Sequence, residues 1–336
     1  MTDPRLQAAR DWIASLGMPV EALEPASEDA SFRRYLRLTL PDGETRILMD
    51  APPDKEPLGP YLDVVERLAA IGVHVPEVLA SNAQEGFLLL EDLGRTAYLD
   101  ALSEETVERL YGDALGALAA IQSLADTEGL PPYDAGRLEA EMALFPDWLL
   151  ERHLGLDLST FRPLFDDIRP LLVASALEQP RVFVHRDYHS RNLMVPPSHN
   201  PGILDFQDAV AGPVTYDLVS LLRDCYIAWP EERVRDWALG YLELAEQTGI
   251  LREKAVDEAT FLRWFDWMGV QRHLKAAGIF ARLRHRDGKP GYLADIPRTL
   301  DYVVGVCSRY PELAPLGRFV ESEVLPRLAE AEARRA

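Results

Sequence analysis

The sequence predicts an α+β chain of two lobes, a small strand-rich N-lobe over 1–92 and a larger, mainly helical C-lobe over 93–336. Three observations predict it. Between Glu21 and Leu90, short apolar runs alternate and are separated by turn residues. From about residue 103 onward, apolar residues recur at helical spacing in runs much longer than a strand. The change falls at Glu91-Asp92-Leu93-Gly94, an acidic segment closed by glycine that reads as a hinge.

The elements follow in order. Residues 4–16 form an amphipathic helix. Tyr35-Leu36-Arg37-Leu38-Thr39-Leu40 alternates, and Pro41-Asp42-Gly43-Glu44 turns it back onto Thr45-Arg46-Ile47-Leu48-Met49 as a hairpin. Pro52, Pro53, Pro57 and Pro60 mark a loop, and Tyr61 to Ile71 is helical in period with Gly72 as its stop. Pro76–Ala80 and Gly86–Leu90 read as two more strands. Beyond the hinge come helices near 103–124, 137–153, 160–177, 214–228, 231–247, 256–284, 294–308 and 316–334. Three short strands interrupt them: Arg181–Val184, Leu193–Val195 and Gly202–Phe206.

Composition narrows the function classes. The chain has 336 residues, 47% of them hydrophobic, which supplies a sizeable core. Acidic residues outnumber basic ones 55 to 35, a net charge of -20, which argues against nucleic-acid binding and against docking on anionic membranes. The two cysteines, Cys225 and Cys307, sit in apolar helical stretches and read as buried free thiols rather than metal ligands. Met1-Thr2-Asp3-Pro4-Arg5 carries no apolar leader, and no run approaches the roughly 18 apolar residues of a membrane span. The expectation is a cytoplasmic enzyme with no membrane association and no obligate protein partner.

The chemistry concentrates in His185-Arg186-Asp187-Tyr188-His189-Ser190-Arg191-Asn192 and in Ile203-Leu204-Asp205-Phe206. Phosphoryl transfer asks a protein for two things: a metal held against the phosphates, and an acceptor hydroxyl held beside a carboxylate. Magnesium takes oxygen ligands and keeps several waters, so one or two side chains suffice. Asn192 and Asp205 fit as metal ligands, which leaves Asp187 to take the acceptor's proton. An aspartate alone in a loop more often caps a turn; the joint pattern points to catalysis. His185 reads as structural, and His189 as a phosphate contact or a loop brace.

These residues resemble the aminoglycoside phosphotransferase family, part of the protein-kinase-like fold. The match rests on His185-x-Asp187-Tyr188-His189-x-x-Asn192, Leu204-Asp205-Phe206, Leu90-Glu91-Asp92-Leu93-Gly94 and Gly212-Pro213-Val214-Thr215-Tyr216-Asp217-Leu218, with Asp217 read as a brace for the loop. Within the family, four segments are closer to bacterial cell-wall sugar kinases. These are Ser31-Phe32-Arg33-Arg34-Tyr35, Met49-Asp50-Ala51-Pro52-Pro53, Phe206-Gln207-Asp208-Ala209, and the stretch from Phe265 to Arg282. The resemblance implies ATP and Mg2+ as cofactors. It implies as acceptor a small-molecule sugar, N-acetylmuramate or N-acetylglucosamine, phosphorylated at the anomeric hydroxyl in peptidoglycan recycling. It also implies that adenine meets backbone groups of Glu91 and Leu93.

The chain departs from the family's pattern in three places. Met49 stands where the third strand normally carries a phosphate-pairing lysine, which makes Arg33 and Arg34 the nearest replacement cations. The loop Ser27–Phe32 has no glycine, so its backbone amides and the hydroxyls of Ser27 or Ser31 are left to face the phosphates. Position 186, usually glycine, is arginine. For the acceptor, Trp264, Trp267, Met268, Gln271 and Lys275 share one helix face. Asp208, Arg223, Trp267, Gln271, Arg272 and Lys275 are the candidate contacts, with the three cations expected near an acceptor carboxylate. Two other readings compete: a kinase for a cationic acceptor such as an aminoglycoside or choline, and a catalytically inactive nucleotide-binding protein.

Overall fold

The computed structural model describes residues 3–27, 32–252 and 254–333. In chain order the elements begin with α1 (Pro4–Ser15), β1 (Ala22–Ser27), β2 (Arg34–Thr39), β3 (Thr45–Asp50), α2 (Gly59–Ala70), β4 (Val78–Asn82) and β5 (Phe87–Glu91). Then come α3 (Tyr98–Ala101), α4 (Val107–Leu124), α5 (Ala135–Met142), a π-helical segment Phe145–His153, α6 (Leu158–Leu177), β6 (Arg181–Val184), β7 (Leu193–Met194), β8 (Gly202–Ile203) and β9 (Val210–Pro213). The chain closes with α7 (Tyr216–Leu222), α8 (Glu231–Gln247), α9 (Glu258–Asp287), α10 (Ile296–Cys307), α11 (Ala314–Phe319) and α12 (Leu325–Ala333). Contacts divide it into two compact units. One is Met1–Thr96 with Met194–Gln207; the other is Ala97–Leu193 with Asp208–Ala336.

The first unit is built on an antiparallel sheet ordered β1-β2-β3-β5-β4. Alternation along each strand sorts its side chains onto two faces. Leu38, Leu48, Phe87 and Leu89 pack with Ala9, Trp12 and Ile13 of α1. The other face carries Tyr35, Met49 and Leu88 in one register row, and Arg37, Ile47 and Leu90 in the next. Charge also fixes α1. Asp3 accepts from Arg5 N at 2.9 Å at the helix start, and Arg5 and Arg34 both pair with the buried Asp50. Gly86 makes the β4–β5 turn at φ +76, where a Cβ would lie 1.9 Å from the Ala51 carbonyl oxygen, so no other residue fits.

The segment Met194–Gln207 groups with this first unit, although the sequence places it after the hinge. Packing explains it: Ile203 N donates to His74 O at 2.8 Å, and the Phe206 ring lies 4.9 Å from that of Tyr61 on α2.

In the second unit α9 is central, packing against α5, α6, α7, α8 and α10. It is buried on every side between Phe261 and Leu283, capped by Asp257 at its start, and ended by Gly288 at φ +68 after Arg284, His285 and Arg286. At Gly278 a Cβ would sit 2.3 Å from the Leu144 carbonyl carbon. The backbone preceding the π-helical segment passes that close, and the helix expected over 137–153 breaks there into α5 and the segment. The elements around the loop also differ from expectation. The strand expected over 202–206 stops at Ile203 because Asp205 turns to φ +62. The partner of β6 is β9, in register from Arg181 with Pro213 to Val184 with Val210, a strand the sequence did not disclose. The helix expected over 214–228 is the shorter α7.

Candidate active site

The loop between β6 and β7 is held from below by two buried carboxylates. Asp217 on α7 accepts His185 N at 2.6 Å and Arg186 N at 2.9 Å, which is the bracing role expected of it. Asp224 accepts Ser190 N and Tyr226 N, each at 2.9 Å. Inside the loop His185 Nδ1 accepts Asp187 N at 3.2 Å, and Tyr188, fully buried, donates to Ala114 O at 2.7 Å. Asn192 Nδ2 donates to Asp187 O at 3.0 Å. That bond orients the amide so that its oxygen points away from the loop carbonyl.

Arg186 takes φ +78, the left-handed region that favours glycine, and so explains the family's usual residue there. Its guanidinium pairs with Glu141 of α5. Glu141 also takes Lys275 Nζ at 3.3 Å, the Tyr133 hydroxyl, and Gln271 Nε2 at 3.5 Å. Lys275 in turn donates to Tyr216 OH at 2.8 Å. One half-buried aspartate therefore sits in the field of three cations. Burial works to raise the Asp187 pKa, but Lys275, His189, Arg186 and Arg272 together hold it below the usual carboxylate value. Burial pushes the pKa of the neighbouring His189 down.

The structure separates the residues the sequence grouped as acceptor contacts. Gln271, Arg272 and Lys275 reach the cluster around Asp187 and Glu141. Arg223 is committed elsewhere, to Asp266 at 2.7 Å and Glu231 at 2.6 Å, with its guanidinium 4.4 Å over the Phe265 ring. Trp267 packs edge-on to Tyr310 at 5.8 Å, with the Arg263 guanidinium 5.6 Å from its ring centroid. Asp208 is exposed.

Within the first unit the two arginines part, Arg33 preceding β2 and Arg34 opening it. Arg34 points to the α1 face and its Asp50 pair. Arg33 pairs with Glu56 at 2.8 Å, and together with Asp205 it is one of the two charges acting on the buried Tyr61 phenol, whose pKa burial raises. Asp205 accepts Gln207 Nε2 at 2.7 Å. At the hinge, Glu91 N donates to Glu77 O at 2.9 Å, and the Glu91 carboxylate meets His74 at 3.2 Å. The Leu93 N–H meets no acceptor among the described residues, and Ser31 lies outside them. Sequence reasoning missed Arg37, whose ion pair with Asp92 and bond to Gly94 O (2.8 Å) pin the hinge to β2. Its signal was the strand alternation that puts it on the Met49 face. Glu56, Glu141 and Asp224 were missed too, and no motif marks them.

Among the described residues no cluster of three or more His, Cys, Asp or Glu could hold a metal ion. No helix among them is long and apolar enough to cross a membrane.

The model of the phosphotransferase enzyme family matches residues 22–256. An N-acetylmuramate/N-acetylglucosamine kinase of Pseudomonas aeruginosa is 49% identical over 329 residues, 98% of this chain and 95% of the relative. One of Neisseria meningitidis is 48% identical over 297 residues, 87% of each chain. Among solved structures, the choline kinase LicA of Streptococcus pneumoniae aligns with TM-score 0.62 at 12% identity, over 91% of this chain and 100% of that one. The aminoglycoside phosphotransferase APH(2'')-Ib, ADP-bound, aligns with TM-score 0.59 at 14% identity, over 88% and 97%. The α+β, protein-kinase-like fold is thus the one the sequence predicted, and the chain belongs to the phosphotransferase enzyme family.

Proposed function

We propose that the protein is an ATP-dependent kinase that phosphorylates the anomeric hydroxyl of N-acetylmuramate, N-acetylglucosamine or both, in the cytoplasmic recycling of peptidoglycan. The observation that carries this reading is the 49% identity, over 98% of the chain, to a kinase named for those two sugars. Asp187 accepts the hydroxyl proton as the sugar oxygen forms its bond to the γ-phosphorus; the bond to the β-phosphate bridging oxygen breaks, and ADP leaves. The cationic surround holds Asp187 ionised, and the brace from Asp217 fixes the loop that presents it. Asn192 and Asp205 are the proposed magnesium ligands, and the ion, when bound, neutralises charge on the phosphates. Arg33, steadied by Glu56, is the better-supported replacement for the lysine absent at Met49, since Arg34 is spent on Asp50. Ile47 and Leu90 supply apolar sheet-face contacts for adenine, with backbone groups of Glu91 and Leu93 as its polar partners.

The three cations beside Asp187 disfavour a cationic acceptor. The test is turnover with ATP and magnesium on N-acetylmuramate, N-acetylglucosamine, choline and kanamycin, reading ADP release and the phosphorylated position. Both or either amino sugar should react at the anomeric oxygen, and Asp187→Ala should lower kcat by roughly 10²–10⁴-fold. Turnover of choline or kanamycin without either sugar would overturn the reading.

A further inference from the structure

Arg186, Lys275, Arg223 and Arg272 are four cations of the second unit, and the first three have a carboxylate partner. Arg186 and Lys275 share Glu141, and Arg223 has Asp266 and Glu231. Arg272 has none. It is only 6% exposed, its Nε has no hydrogen-bond partner, and its Nη1 lies 3.7 Å from the Cys225 sulfur. That thiol gives no counter-charge, because burial pushes its pKa up and keeps it neutral. Two carboxylates act on Arg272 through space without pairing with it. Asp224 is committed to the amides of Ser190 and Tyr226, and Asp187 is the proposed base.

A guanidinium taken out of water without an anion is strongly unfavourable, so a fold that keeps one implies a ligand that brings the anion. Its planar fork suits a carboxylate, which it can grip with two parallel bonds. We infer that Arg272 is the residue that selects the acidic acceptor: it binds the lactyl carboxylate that N-acetylmuramate carries and N-acetylglucosamine lacks. This rests on the amino-sugar reading above. Arg272 belongs to the unit that holds Asp187, which handles the acceptor. Its neighbour one helical turn on, Lys275, joins the same cluster. The phosphate-side candidates Arg33 and Asp205 belong to the other unit.

The test compares kcat/KM for the two sugars in wild type and in Arg272→Met. The ratio favouring N-acetylmuramate should fall about 100-fold, the loss expected when a charge-assisted bidentate contact is removed. In the wild type, the methyl ester of N-acetylmuramate should lose a comparable factor against the free acid, a measurement that needs no folded variant. Equal losses for both sugars in Arg272→Met would assign Arg272 to the transferring phosphoryl group or to the fold, and would overturn the inference. So would equal wild-type rates for acid and ester. Silence of the wild type toward both sugars would instead overturn the functional reading, and this inference with it.

Discussion

Replacing Glu141 by glutamine tests whether the cation cluster beside Asp187 depends on one buried charge. The carboxylate is about 10% exposed and takes Arg186 and Lys275 on Oε1, with Tyr133 and Gln271 on Oε2. Glutamine keeps the shape and one acceptor oxygen. It removes the charge and turns an NH2 toward groups that are themselves donors. Removing one partner of a buried ion pair costs about 3–5 kcal/mol because the other charge is left uncompensated. The retained oxygen puts Glu141→Gln near the lower end, about 3 kcal/mol, against a total stability of roughly 5–15 kcal/mol. With an m-value of about 3 kcal/mol/M, the urea midpoint should drop by about 1 M. Fluorescence of Trp264 and Trp267, buried on the helix that carries Lys275, reports the transition.

The pH dependence has a definite sign. Burial works to raise the Glu141 pKa, but Lys275 and Arg186 hold it below its ordinary 4.5. A carboxylate depressed on folding stabilises fully above its unfolded value and loses that contribution as pH falls through the folded one. The gap between wild type and Glu141→Gln should therefore be constant from pH 7.5 down to about 4.5 and shrink below it. The uncompensated cations should also depress Asp187 further, moving the acid limb of the kcat profile to lower pH and lowering kcat. A stability difference under about 1 kcal/mol at pH 7.5, or one that does not shrink in acid, would refute the idea that Glu141 is the compensating charge.

Arg33→Ala should raise the ATP Michaelis constant about tenfold, the worth of one charge-assisted contact, with little change in the acceptor's. Arg34→Ala should leave the ATP value alone and lower stability by no more than about 1 kcal/mol, since the Arg34 side chain is 42% exposed and its pairs are screened. Asn192→Ala should raise the magnesium concentration needed for half-maximal rate about tenfold, read by titrating metal at saturating ATP, while the melting temperature moves little.

What the sequence disclosed and what it hid divide along a physical line. The loop His185–Asn192 and its brace Asp217 were legible because each lies in a contiguous motif of fixed spacing. Arg33 and Arg34 were not separable, because only the fold decides that Arg33 meets Glu56 and Arg34 meets Asp50. The stripe Trp264, Trp267, Gln271 and Lys275 misdirected for a different reason. A helix buried on every side has no single ligand face, so periodicity placed Trp267, packed on Tyr310, beside Lys275, which joins the Asp187 cluster. Glu141 and its partner Arg186 are far apart in the chain, and neither carries a local mark of the pairing. Arg186, Arg223, Arg272 and Lys275 are equivalent as letters in a sequence. They differ in which carboxylate the fold delivers to each. A cation left without one among the described residues is therefore a property of the tertiary structure alone, and it is on that property that the proposed choice of acceptor rests.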